Sequence, residues 1–130
     1  MGTYRGFEPF RIAGAVIRIR IGLDGAGLLR SCRMEGHAYS GPVGADLVCA
    51  LVSVLLRSAM RTLVDRKGIE LRGGAPDTGC LWLEADYSAE GRDFLAAVGA
   101  FLIEGLRSVS EEYPDNCGIV IENQRPRGGL

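Results

Sequence analysis

Two side chains in this 130-residue sequence are of types that act together in nucleophilic catalysis: His37 and Cys49, twelve positions apart. His37 is the only histidine, so any chemistry that needs an imidazole must use it. Gly36, Gly41, Pro42 and Gly44 fall in the segment 36–45, which reads as a loop. Asp46 follows where a helix N-cap belongs, and the run LVCALVSVLLRSAMRTLV continues as a helix to about Asp65. That reading puts Cys49 in the first helical turn, where unsatisfied N–H groups and the positive end of the dipole favour a thiolate and can hold an oxyanion. Closing the loop would bring the imidazole beside the sulfur as base or ion-pair partner. An inert reading stands beside this one, since a cysteine within LVCALV is commonly a core residue and a histidine at a strand end commonly meets a carbonyl. Spacing leaves both open.

The other cysteines offer less. Cys32, Cys80 and Cys117 fall on strand-like segments, form no CxxC pair with Cys49 or each other, and read as core thiols. A zinc site normally brings ligands in close pairs, so neither a metal nor a cofactor is expected.

The elements that must position His37 and Cys49 follow from the hydrophobic pattern. Ala15, Ile17, Ile19 and Ile21 alternate with Val16, Arg18 and Arg20, and Leu28–Glu35 alternates again after the turn signal Asp24-Gly25. These make a hairpin with Arg18, Arg20 and Arg33 on its outer face. The first helix is apolar nearly all round over residues 47–56, which predicts the most buried element of the fold. Two further strands, 69–72 and 80–85, flank the turn segment GGAPDTG. A second helix over 89–113 carries the stripe Phe94, Leu95, Val98, Phe101, Leu102, Leu106 and Val109. A last strand covers 118–122. The order ββαββαβ predicts a two-layer α+β domain over residues 15–123, with a mixed sheet packed against two long helices. Residues 1–14 form an unpatterned arm and 124–130 a flexible basic tail.

The local words narrow the choice. Gly36-His37-Ala38, then Gly41, Gly44, Asp46, Val48, Cys49, Ala50 and Ser53, together with Glu111-Glu112-Tyr113-Pro114, resemble the Prp family of bacterial ribosomal-processing cysteine proteases. The resemblance covers about residues 15–122. It implies a small homodimeric protease that removes the N-terminal extension of a large-subunit ribosomal protein, cutting after an aromatic residue. By the same resemblance Cys49 is the nucleophile, and His37 the general base and then the acid. Asp46 and Ser53 support the site, and Gly36, Gly41 and Gly44 belong to the loop. Leu47 replaces the isoleucine common in the family, and Pro42 stiffens the loop.

Composition bounds the alternatives. Hydrophobic residues make up 47% and charged residues 24%, and the net charge is -1, so a general nucleic-acid binder is disfavoured and no direct nucleic-acid partner is expected. The longest uncharged apolar run, Leu47–Leu56, is too short to span a bilayer, and no signal-peptide layout is present, which predicts a cytoplasmic protein without a membrane partner. One rival reading is a non-catalytic ribosome-associated module using Arg18, Arg20, Arg30 and Arg33. Another is a structural dimer in which the apolar first helix is only an interface.

Overall fold

The computed structural model describes residues 17–36, 45–75 and 80–123. His37, Gly41, Gly44, the arm 1–14 and the tail 124–130 lie outside the described residues, as does the side chain of Asp46. Among the described residues the elements are β1 (Ile17–Leu23), β2 (Leu29–Glu35), α1 (Ala45–Leu63), β3 (Ile69–Gly74), β4 (Cys80–Tyr87), α2 (Arg92–Glu112) and β5 (Cys117–Asn123), with a 3₁₀ turn at Ala89–Gly91 leading into α2. This is the ββαββαβ order expected from the pattern.

The five strands form one mixed sheet in the order β3, β4, β2, β1, β5. Every neighbouring pair is antiparallel except β1 and β5, which run parallel with Ile17 opposite Cys117. One face of the sheet presents Ile17, Ile19, Ile21, Cys32, Met34, Leu81 and Leu83 to the helices. There they share a core with Val48, Val52 and Leu56 of α1 and Leu102 and Leu106 of α2. Each fully buried side chain of this size contributes about 1.5–3 kcal/mol of transfer free energy, which is why alternation of this kind fixes the strand face. The opposite face carries Arg18, Arg33, Glu35, Glu84, Asp86 and Trp82, and no helix among the described residues covers it.

The helices depart from the expected burial. Among the described side chains of α1 only the stripe Val48, Val52, Leu56, Ala59 and Leu63 is buried. Leu47 is 49% exposed, Val54 62% exposed, and Leu51 also faces outward. The helix is therefore not the most buried element, because a two-layer fold gives it one sheet on one side and only α2 beside it. In α2 the inward stripe is Leu95, Gly99, Leu102, Leu106 and Val109, whereas Phe101 is 74% exposed rather than part of it. Gly99 takes an inward place because α2 approaches β2 so closely that a Cβ there would come within 2.9 Å of Leu29 Cβ.

Two junctions hold the layers in register. At the β1–β2 turn, Asp24 Oδ1 accepts the N–H groups of Ala26 and Leu28, both at 2.9 Å, and Asp24 Oδ2 accepts the Tyr87 hydroxyl from β4. Partial burial opposes ionisation of Asp24. The bonds from Tyr87, Leu28 and Ala26 and the nearby Arg30 guanidinium outweigh it and hold the carboxyl below its ordinary value. A depressed carboxyl contributes stability above its unfolded pKa and loses it as pH falls through the folded one. Asp24→Ala is thus expected to cost about 1–2 kcal/mol at pH 7 and progressively less below pH 4, as urea midpoints at the two pH values would read. The second junction lies where β3 begins. Gly68, at φ +79°, is pressed against Gly91, and the Ser88 N–H donates to the Gly68 carbonyl at 2.9 Å.

Candidate active site

The site is framed by the end of β2 and the start of α1. Helix α1 begins at Ala45, so Asp46 already lies in its first turn instead of capping it. The N–H groups left without intrahelical acceptors are those of the first helical residues and the one before them. Cys49 stands two positions past that set. Its sulfur lies near the positive end of the dipole, but its own amide belongs to the helical ladder, so an oxyanion would need donors from elsewhere in the first turn. The Cys49 side chain is half-buried and packs on the core shared with the sheet.

One helical turn further along, the Ser53 hydroxyl donates to Met34 Sδ at 3.9 Å, tying α1 to β2. Met34 is 3% exposed and belongs to the core face of β2. Strand alternation assigns Met34 to the core but carries no signal that its sulfur accepts a bond from the helix. Beyond Glu35, Gly36 is buried and adopts φ +145°, a conformation that disfavours any Cβ, and from it the chain leads into His37. The structure thus brings together Cys49, Ser53, Met34 and the strand end that precedes His37. It does not describe His37, Gly41, Gly44 or the Asp46 side chain.

The other cysteines divide into two kinds. Burial pushes the Cys32 thiol up to about 12 and the Cys117 thiol up to about 11. Both are core residues, as expected. Cys80 is not. It is half-buried and opposite Glu35 in the ladder, on the sheet face away from the helices, because the inward places of β4 are taken by Leu81, Leu83 and Ala85. Under iodoacetamide at pH 7, Cys49 is expected to be alkylated first and Cys32 and Cys117 last, since a thiol near 12 is ionised to only roughly one part in 10⁵. Peptide mapping of a time course would check the order, and equal rates at all four would contradict it.

Of the four hairpin arginines Arg18 is exposed, while the other three are partly or fully buried and do not form the solvated basic face that alternation suggests. Arg20 is 5% exposed. Arg30 pairs with Asp86 at 3.0 Å and Arg33 with Glu35 at 2.7 Å, while Arg72 bridges Glu84 and Asp86. Charge is balanced locally, which removes the main support for an RNA-binding surface there. No helix among the described residues is long and apolar enough to cross a membrane.

Comparison with known proteins gives a consistent result. The family model described as cysteine protease Prp matches residues 16–118. The ribosomal processing protease Prp of Staphylococcus aureus, in complex with a substrate peptide, superposes with a TM-score of 0.70 at 21% identity, covering 81% of this chain and 98% of that one. The protein SMU.848 of Streptococcus mutans does so with a TM-score of 0.69 at 25% identity, covering 95% and 100%. The S. aureus protease with a covalently linked product peptide gives 0.64 at 20% identity, covering 83% and 99%. No curated sequence matches significantly.

Proposed function

The chain belongs to the cysteine protease Prp family, and from that premise we propose that it is an endopeptidase that removes the N-terminal extension of a large-subunit ribosomal protein in the cytoplasm. Cys49 is the nucleophile and His37 its proton-transfer partner. His37 takes the thiol proton, and the thiolate attacks the scissile carbonyl carbon. The tetrahedral oxyanion then collapses, the C–N bond breaks, and the imidazolium returns the proton to the leaving amine. Water, deprotonated by His37, hydrolyses the resulting thioester. The scissile bond follows an aromatic residue in an apolar stretch. No metal or cofactor takes part.

The observation that carries this reading is the placement of Cys49 near the N-terminal end of α1, one turn from the Ser53–Met34 contact with the strand that leads into His37. The S. aureus relative, solved with a substrate peptide, supports a peptide as the partner. The test is incubation with the ribosomal precursor of the same organism and mass spectrometry of the products. A single cut on the carboxyl side of an aromatic residue is expected, and an intact precursor would defeat the reading.

A homodimer is proposed on the same footing. Leu47, Leu51 and Val54 on α1 and Phe101 on α2 are large apolar side chains left outward on the helical layer, the side from which a second copy could cover them. Between the helices, Leu55, Ala59, Val98 and Phe101 line an apolar groove. Sedimentation at micromolar concentration is expected to show a dimer, and Phe101→Asp together with Leu51→Asp to shift it to monomer. A monomeric native protein would refute the assignment.

A further inference from the structure

A serine or threonine inside a helix can turn its hydroxyl back onto the carbonyl four residues earlier, and that back-bonding tends to bend the helix. Both long helices show the habit: Thr62 Oγ1 donates to the Ser58 carbonyl at 2.7 Å, and Ser108 Oγ to the Glu104 carbonyl at 3.0 Å. For Ser53 the carbonyl four residues earlier is that of Cys49. Ser53 does not use it. Its hydroxyl is directed away from the helix axis to Met34 Sδ at 3.9 Å.

Met34 is well placed to hold that hydroxyl. It is 3% exposed, and its Cα is in register with Ile19 on one side and Leu81 on the other, so it cannot shift without the centre of the sheet. It also lies three residues before His37. A thioether is a weak acceptor, so the bond adds little to stability. Its effect is directional: it selects one rotamer of Ser53 and leaves the Cys49 carbonyl free of a back-bond.

We infer that Met34 is a positioning residue for the cysteine–histidine chemistry, acting through Ser53: its sulfur keeps the Ser53 hydroxyl off the Cys49 carbonyl and so keeps the turn that carries the nucleophile unbent. The inference rests on the dyad reading above. Without the sulfur, Ser53 falls back onto Cys49, and the turn bends where the reacting atom is mounted. Small misplacements of a reacting group are costly, because effective molarity depends steeply on geometry.

The test is a double-mutant cycle. Met34→Leu keeps hydrophobic volume and removes the acceptor, so the thermal midpoint should stay close to native. Its kcat is expected to fall roughly tenfold with KM unchanged, and the pH profile of Cys49 alkylation to shift. Ser53→Ala, which has no hydroxyl to back-bond, should lose less, about threefold or under. The decisive variant is the double one. Adding Ser53→Ala to Met34→Leu is expected to restore both kcat and the alkylation profile to those of Ser53→Ala alone. Simple loss of packing would leave the Met34→Leu defect in place in the Ser53→Ala background, and that outcome overturns the inference, as does native kcat in Met34→Leu. If Met34→Leu does not fold, global replacement of methionine by norleucine, with and without Ser53→Ala, is read in the same way. Alkylation is measured without turnover, so the cycle remains readable if cleavage proves not to use Cys49. That separate failure would show itself as activity in Cys49→Ala.

Discussion

Cys49→Ala is expected to abolish peptide cleavage while leaving the unfolding transition nearly where it was. The change removes one sulfur from a half-buried position on α1, and alanine is the best helix former, so neither the helix nor the core loses an essential contact. The loss should be on the order of 10⁴-fold or more in kcat, as expected when the atom that forms the covalent intermediate is taken away. His37→Ala should do the same, because the sequence holds no second histidine to move the proton. Steady-state cleavage of an apolar peptide with an aromatic residue before the scissile bond, with melting curves alongside, checks both. Activity in Cys49→Ala would end the assignment of the nucleophile, and activity in His37→Ala would end the dyad while leaving the nucleophile in place.

The largest expected effect on stability lies far from the site. Gly68 adopts φ +79°, and a Cβ there would stand 2.3 Å from the backbone nitrogen of Gly91. Two costs add in Gly68→Ala. The left-handed backbone costs a non-glycine residue about 1–2 kcal/mol. The clash is with backbone that cannot rotate away, so β3 and the turn entering α2 must separate, breaking the bond from Ser88 N–H to the Gly68 carbonyl. A total of about 4 kcal/mol is expected, a large part of the stability of a domain this size. Gly27→Ala separates the two terms, since Gly27 has φ +86° and a Cβ there would meet nothing within 4 Å. Its urea midpoint should drop by the backbone cost alone, and equal drops in the two variants would show that the Gly68–Gly91 contact contributes nothing.

Much of the fold was legible because alternation is a direct record of which strand face meets the core. Ile17, Ile19 and Ile21 read correctly, and so did Cys32 and Met34, since each lies on the side where the helices cover the sheet. Helix patterns record less. The run 47–56 says that the residues are apolar, not what covers them, and Leu47, Leu51 and Val54 turn outward because this chain offers them no third layer. Phe101 departs for the same reason. Arg20 runs the other way: alternation places it correctly on the outer sheet face, opposite Arg33 and Val120, but the pattern carries no signal that it is buried there. At the site, the words around Gly36 and Cys49 pointed to the chemistry, and helix onset was misjudged by two residues. The role of Met34 was invisible, because it depends on how far apart β2 and α1 lie, which no spacing along the chain encodes.

The pairing of β1 with β5 has a consequence in time. Ile17 meets Cys117, one hundred positions later, and β5 follows every other strand in chain order. At ordinary elongation rates roughly 5–20 s separate the synthesis of the two strands. The hairpin, α1 and the β3–β4 pair can assemble during that interval from contacts close in sequence. β1 meanwhile keeps one side unpaired, a row of open N–H and C=O groups along a strand rich in isoleucine, and bare edges of that kind recruit other chains. The nascent protein therefore carries α1 for seconds before the sheet beneath it is closed, and dense polysomes are where mispairing between copies should be greatest.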